Sequence, residues 1–461
     1  MEKVIIIGGG PAAISMAKIM GGKKHITIIR PENHSMIYCA MPYVIENLIP
    51  FNKTLKKDSL VTDTGATLIR DRVEKVDFEQ KHVHTEKGNV YTYDKLVIAT
   101  GADPVLPPIQ GTDLQGVLTF KTEDDLKRIV DLAENGLRKA VVVGAGAIGI
   151  ELAQALNSRG VQTHLVDMEE QVLPNLLDKE MAEEVEDELV RLGLTLHLGH
   201  KVLSLHGKRF AREVALDKGH TIHLETADNC SEDHEENVTP SLVVFAVGMR
   251  PNTGIFAGTM LATGRDGIVI NDKMETNIED VYAVGDCTQF TSAVTGDVSP
   301  GKLATNAVPM GKLLARNMLG SNERYNGFYN GAATKAGNYY VGGTGLSEKA
   351  ARDRMDVIVG YADLTTAFPI MPSAGSVRVK LIAEKGSLRI VGGQIVSELP
   401  ATDKVDLITM AVQFGLTAQD LRIFSYSSQP YQSYFPANNI LVHAAENILE
   451  QDGAETIKKA S

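Results

Sequence analysis

Four consecutive apolar residues, Val4-Ile5-Ile6-Ile7, run into Gly8-Gly9-Gly10-Pro11-Ala12-Ala13, then into an apolar stretch that continues to Met20 and a second run, Ile26-Thr27-Ile28-Ile29. Short apolar runs bounded by glycine read as strands buried on both faces, and the stretch between them as a helix, so the segment predicts a βαβ unit. Its first turn carries G-x-G-x-x-A. Gly8 permits a tight turn, Gly10 leaves room for a pyrophosphate to approach the backbone, and Ala13 lets helix pack on strand. Pro11 suits the first helical turn, where a missing N–H is harmless. On its own this motif also fits a purely structural glycine-rich turn.

The pattern recurs as Ala140-Val-Val-Val143, Gly144-Ala145-Gly146-Ala147-Ile148-Gly149, a helix through Asn157, and the strand Thr163-His-Leu-Val166 ending in Asp167. Asp167 stands about 20 residues beyond the glycines, where a carboxylate accepts from a ribose 2′-OH and repels a 2′-phosphate. That favours NADH, with NADPH as an open alternative; a helix cap or surface acid is the plainer reading of Asp167. Between the two units, Tyr93 to Gly101 is a buried strand ending in Ala99-Thr100-Gly101, followed by a proline-rich link from Pro104 to Pro108. A matching strand, Leu242 to Gly248, leads into Arg250-Pro251-Asn252, and Tyr282-Ala-Val-Gly285-Asp286-Cys287 precedes a helix that runs to Leu319. Past Gly327 the pattern changes to strands with glycine-rich turns, a tyrosine-rich segment from Tyr426 to Tyr431 and a last helix. The polar, acidic stretch from Thr226 to Asn237, with Cys230, reads as a solvated loop.

With 461 residues, about 150 per domain suggests roughly three domains. The net charge of −12, with no basic block longer than Lys56-Lys57, argues against nucleic acid and anionic membrane surfaces as partners. No apolar run approaches the roughly 18 to 20 residues of a spanning helix, so no membrane insertion is expected. The start, Met1-Glu-Lys-Val, lacks the features of a secretory leader, which makes the cytoplasm the expected compartment. The three cysteines, Cys39, Cys230 and Cys287, form no CxxC or CxxxxC pair, so neither a disulfide framework nor a metal site is expected. Any thiol chemistry must run on a single cysteine.

The order G-x-G-x-x-A, A-T-G, G-x-G-x-x-G, V-G-x-R-P-N and Y-A-V-G-D-C resembles the FAD-dependent pyridine nucleotide-disulfide oxidoreductases over nearly the whole chain. The resemblance implies an α/β fold: two Rossmann-like three-layer domains, for FAD and NAD, plus a C-terminal α+β dimerisation domain. The implied boundaries are 1–111 and 248–326 for the two parts of the FAD domain, 112–247 for the NAD domain and 327–461 for the interface domain. It gives FAD to Gly8, Gly10, Pro11, Ala13, Thr100, Gly101, Gly248, Gly285, Asp286 and Ala304, with Arg30 and Glu32 at the ribose. It gives the pyridine nucleotide to Gly144, Gly146, Ile148, Gly149 and Asp167. Glu151 resembles the family glutamate that orients nicotinamide; an ordinary acid in a helix's first turn is its plainer reading.

Ser35-Met-Ile-Tyr-Cys39-Ala-Met-Pro-Tyr43 is similar to the signature of the single-cysteine branch, which includes coenzyme A-disulfide reductases, NADH:polysulfide reductases, NADH oxidases and peroxidases. Tyr43 stands where a second redox cysteine would be, so a dithiol mechanism is excluded. A helix beginning near Pro42 would favour the Cys39 thiolate. The resemblance implies a homodimer whose Cys39 reduces a small disulfide, persulfide or polysulfide, with a coenzyme A-linked acceptor among the options. A structural cysteine is the alternative for Cys39, and the expected role for Cys287. Four departures from the family bear on the acceptor. Pro11 occupies the turn where the oxidases and peroxidases resemble one another in placing a histidine, which weakens the sulfenic acid readings. Tyr38 replaces the asparagine of the coenzyme A-disulfide reductases, and only Lys18, Lys23 and Lys24 lie near the expected phosphate positions. Arg30 occupies the place of a ribose-binding acid. Leu364-Thr365 replaces one tyrosine pair, leaving Tyr426, in competition with Tyr431, to enter a partner's active site. NADH oxidase or peroxidase chemistry is the rival enzyme reading. A flavin-bearing electron carrier or redox sensor that docks a protein partner is the rival from another class.

Overall fold

The computed structural model describes residues 1–224, 240–299, 301 and 304–460, the side chains of 304 and 455–460 excepted. Cys230 and the expected loop from Thr226 to Asn237 lie outside the described residues. The chain divides into two compact units. One comprises Met1–Val105, Lys121–Glu123 and Gly248–Phe328, and the other Leu106–Phe120, Asp124–Val247 and Tyr329–Ser461.

The first unit is built on a five-stranded sheet in the order Val281–Ala283, Lys95–Ile98, Lys3–Ile7, His25–Arg30, Thr67–Arg70, with every neighbouring pair parallel. The continuous apolar run of the first strand is explained by burial on both faces. Val4 and Ile6 pack with Met16, Met20, Ile28, Met310 and Leu314 on one side. Ile5 and Ile7 pack with Ile29, Leu96, Ile98, Phe256 and Ile268 on the other, as the period-2 alternation of a strand requires. Helices Pro11–Met20 and Ala304–Met318 cover the first face, and the antiparallel strands Val73–Asp77, His82–Thr85 and Val90–Thr92 contribute to the second.

The second unit repeats this plan. Its parallel sheet runs Val117–Thr119, Leu242–Phe245, Lys139–Val143, Gln162–Asp167, Thr195–Leu198, and the antiparallel strands Val202–Gly207, Ala211–Leu216 and Thr221–His223 share a core with one face. In both sheets the chain crosses in opposite directions from the strand that carries the glycines, which opens a crevice at that strand's carboxyl end. The same unit contains a five-stranded antiparallel sheet ordered Ala332–Ala336, Tyr339–Gly345, Ile390–Ser397, Ser376–Glu384, Val357–Thr365, against which helices Thr402–Gln413 and Ile440–Ala460 pack. Among the described residues no helix is long and apolar enough to cross a membrane.

A buried ion cluster ties this sheet to the polypeptide of the preceding Rossmann-like fold. Lys380, on strand Ser376–Glu384, has no exposed surface, and its ammonium contacts Asp178 Oδ2 at 2.8 Å, Glu348 Oε2 at 2.7 Å and Glu180. Gln394 adds a reciprocal pair with Asp178, donating from Nε2 at 2.7 Å and accepting the Asp178 amide at 2.8 Å. Burial works against the charged lysine, and the hydrogen bonds from its ammonium to the three carboxylates overcome it, holding its pKa above the ordinary value. For Glu348, burial pushes the carboxyl up, but hydrogen bonds from Lys380 and Arg352 leave it below its ordinary value.

Replacing Lys380 by Met is expected to cost about 3–5 kcal/mol, because Asp178, Glu180 and Glu348 all lose their contact with its ammonium and Glu348 keeps Arg352; the midpoint of thermal unfolding measures this. The sign of the pH dependence follows from the two shifts. A depressed carboxyl stabilises above its unfolded value of 4.5 and loses that contribution as pH falls through the folded value, whereas a raised lysine stabilises below 10.5 and loses it as pH climbs through the folded value. The wild type's advantage over Lys380→Met is therefore greatest between these limits and shrinks in acid.

Candidate functional site

The two glycine-rich turns have nearly the same backbone. Gly8 and Gly144 both sit at φ +110°, a region that glycine enters without steric cost. A Cβ on Gly8 would run into the Ala99 carbonyl, and one on Gly144 would lie 2.5 Å from the Ala246 carbonyl. Both turns are closed by an amide donating to the next strand, Gly8 to Ile29 at 2.8 Å and Gly144 to Val166 at 2.7 Å. Gly10 and Gly146 cap the following helices with φ −76° and −77°, and neither cap receives a side-chain hydrogen bond. A Cβ on either would meet nothing within 4 Å. Each turn thus offers open space beside helix N-terminal amides, with no acidic residue in the first helical turn. That donor set and that space fit a dinucleotide pyrophosphate.

Further expected contacts cluster around the first turn. Thr100 Oγ1 donates to the Asn252 carbonyl at 2.7 Å, Asn252 Nδ2 returns a bond to the Thr100 carbonyl at 3.2 Å, and the Asn252 amide donates to Gly101 at 2.9 Å. The A-T-G and R-P-N motifs are therefore stitched together, and Gly248 joins them by accepting from the Val105 amide at 3.0 Å. Gly285 and Asp286 lie in a short 3-10 turn, with Gly285 at φ +76° and 3.2 Å between its added Cβ and Ala307 Cβ. Ala304 opens the helix Ala304–Met318, and its side chain lies outside the described residues. Pro11 and Ala13 occupy the first turn of the helix Pro11–Met20, with Ala13 buried.

Arg30 and Glu32 part company. Arg30 is only 3% exposed; its aliphatic stem packs under Gly9, and its Nη2 donates to Asp58 Oδ1 at 2.5 Å and to the Asn33 carbonyl at 3.2 Å. Asp58 also receives Arg70, so one carboxylate bridges two guanidinium groups. Glu32 is exposed. The sequence contained no sign of Asp58, which comes from a loop distant in the chain.

At the second turn, Asp167 accepts from the Ala145 amide at 2.5 Å through Oδ2 and from the Glu169 amide at 2.9 Å through Oδ1. These bonds fix the carboxylate against the glycine turn. Ile148 is 48% exposed, and half-buried Glu151 accepts from Thr334 Oγ1 at 2.7 Å. Thr334 gave no sequence signal.

Cys39 is exposed and sits in the 3-10 turn Tyr38–Ala40. The helix after it, Met41–Ile45, is a single turn of five residues, shorter than the helix dipole argument favours. Ser35 Oγ donates to the Gly9 carbonyl at 3.0 Å, fastening this segment to the first glycine turn. Lys56 pairs with Ser35 across an antiparallel ladder. Burial lowers its pKa, the Cys39 sulfur pulls it back, and Lys18 presses it down, so Lys56 lies within electrostatic reach of the thiol. Lys121 lies 5.6 Å over the Tyr38 ring. Cys287, in contrast, is fully buried, donates to the Ile98 and Val284 carbonyls, and is pushed up in pKa by that burial; it fills core. In the C-terminal region, the Tyr426 hydroxyl donates to the Pro436 carbonyl at 2.6 Å, and Tyr431 is 63% exposed.

Residues 2–311 match the pyridine nucleotide-disulphide oxidoreductase family, and residues 332–431 match its dimerisation domain. An NADH oxidase of Methanocaldococcus jannaschii is 31% identical, with 97% of this chain and 99% of that protein covered. A CoA-dependent NAD(P)H sulfur oxidoreductase of Pyrococcus furiosus is 28% identical, covering 91% of this chain and 93% of the relative. Among solved structures, a NAD-dependent persulfide reductase from A. fulgidus superposes with a TM-score of 0.89 at 27% identity, over 98% of this chain and 84% of that one. The chain therefore belongs to the pyridine nucleotide-disulphide oxidoreductases, enzymes that use FAD and NAD(P)H.

Proposed function

We propose that the chain is a homodimeric NADH oxidoreductase that reduces a small disulfide, persulfide or polysulfide at Cys39. The observation that carries this reading is an exposed thiol fastened through Ser35 to the first glycine turn, with Tyr43 where a second cysteine would stand. In this reading FAD is held by Gly8, Gly10, Pro11 and Ala13 with Thr100, Gly101, Gly248, Gly285, Asp286 and Ala304. NADH is held by Gly144, Gly146, Ile148, Gly149 and Asp167, with Glu151 at the nicotinamide. Arg30 contributes by supporting Gly9 from beneath, and Glu32 has the weaker claim. Bound FAD supplies a two-electron carrier between NADH and sulfur.

The Cys39 thiolate attacks one sulfur of the acceptor, a new S–S bond forms, and the other sulfur departs as a thiolate that takes a proton. Two electrons then cleave the mixed disulfide, regenerating the Cys39 thiolate and releasing the second sulfur. Lys56, which feels the Cys39 sulfur, offers a cation to an anionic acceptor. Tyr426 is the phenol proposed to protonate a departing thiolate in the partner's site, with Tyr431 in second place. An acceptor linked to coenzyme A is one option within this class.

NADH oxidase or peroxidase chemistry, with Cys39 cycling through a sulfenic acid, is the second reading, favoured by the name of the Methanocaldococcus relative. Pro11 in the first glycine turn supplies no imidazole for peroxide proton transfer, which supports sulfur over oxygen.

Two results are expected. Gly10→Val keeps the far-UV circular dichroism of the wild type but purifies without FAD, since its side chain fills the cradle rather than the core; Gly8→Ala instead lowers stability, because its Cβ meets backbone. Steady-state assays with coenzyme A disulfide, polysulfide, peroxide and dioxygen should give turnover with a sulfur acceptor that Cys39→Ser abolishes. Full turnover of Cys39→Ser with every acceptor would sink the thiol mechanism, and turnover confined to dioxygen or peroxide would favour the second reading.

A further inference from the structure

The helix Ala147–Ser158 makes polar contacts that a dinucleotide fingerprint does not need. Glu151 and Gln154 stand three residues apart and share one helix face. Gln154 accepts from the Gly337 amide and donates from Nε2 to the Lys335 carbonyl at 3.0 Å, while Thr334 Oγ1 donates to Glu151 Oε1 at 2.7 Å. All three partners belong to the strand Ala332–Ala336 and the turn after it, at the residues where the match to the dimerisation domain begins. The two bonds of Gln154 go to backbone groups and dock strand on helix whatever the strand's side chains are. The bond to Glu151 is different, because it depends on one side chain, and the Thr334 residue is only 8% exposed. Desolvating a hydroxyl and freezing a glutamate rotamer both cost free energy, so a hydrogen bond to the charged oxygen is needed to offset them.

We propose that Thr334 is a positioning residue for the pyridine nucleotide: its hydroxyl fixes the rotamer in which Glu151 receives the nicotinamide, which makes the first strand of the dimerisation domain part of the NADH site. The inference rests on the reading of Glu151 as the nicotinamide-orienting acid. The fixed rotamer lowers the ordering that nucleotide binding would otherwise require of a flexible acid. Serine keeps the donor, whereas valine keeps the shape and loses it.

The test uses the full-length, FAD-loaded protein with Thr334→Val, Thr334→Ser, Thr334→Ala, Glu151→Ala and the double variant Thr334→Val/Glu151→Ala. Affinity for the non-reducing analogue 1,4,5,6-tetrahydro-NADH is measured by calorimetry, and anaerobic flavin bleaching is followed after mixing with saturating NADH. Thr334→Val is expected to weaken analogue binding or slow bleaching by about tenfold, the usual consequence of losing a hydrogen bond to a charged group. Thr334→Ser should stay within about twofold of the wild type, and the double variant should be no worse than Glu151→Ala. Thr334→Ala carries the same expectation as Thr334→Val should the valine protein not fold. If Thr334→Val lowers only the melting temperature, or if its effect persists in full beside Glu151→Ala, Thr334 is structural and the inference is overturned. If Glu151→Ala itself binds analogue and bleaches like the wild type, the reading of Glu151 fails first, and the inference falls with it.

Discussion

At two places in this chain a strand delivers backbone amides to open space that fits a pyrophosphate, and each Rossmann-like sheet is arranged around its turn. A parallel strand delivers the chain to a glycine at φ +110°, a second glycine faces open space, and a helix begins with its amides uncapped. Because the turn and the helix start must both be held, the strand has to be buried on each face, and that burial explains the continuous runs Val4–Ile7 and Ala140–Val143. The two sheets, with their covering helices and antiparallel ribbons, are the same solution to one electrostatic problem.

The proposed sulfur chemistry belongs to the segment that Ser35 fastens to the first of these turns. Cys39 has only one turn of helix after it, so a helix dipole offers it little, and its segment is fastened by the Ser35 bond to Gly9. A single thiol cannot form an internal disulfide, so in the proposed mechanism the sulfur it bonds comes from the acceptor. Cys287 is chemically the same group, but burial raises its pKa and two carbonyls accept from it. Environment rather than residue type separates the redox candidate from the core residue.

Legibility in the sequence followed the range of each interaction. The glycine turns and the order of motifs could be read because each answers a local backbone need within a few residues. The pairing of Arg30 with Asp58 could not, since it joins separate elements through side chains that look like ordinary surface charges. The same holds for Thr334, which meets Glu151 across 183 residues, and for Lys380, whose place in Val-Lys-Leu gives no hint that three acids surround it. Alternation along that strand separates Lys380 from its apolar neighbours but does not reveal whether its face is wet or filled. Such contacts depend on which elements the fold brings together, and no periodicity encodes that.

The dependence of the chemistry on one thiol can be measured directly by counting electrons. The FAD-loaded protein and Cys39→Ser are treated with polysulfide, desalted, and titrated anaerobically with dithionite while flavin absorbance is recorded. A protein whose Cys39 holds a bonded sulfur takes up one electron pair more per flavin than Cys39→Ser before bleaching is complete. Equal uptake by the two proteins would contradict a redox role for Cys39.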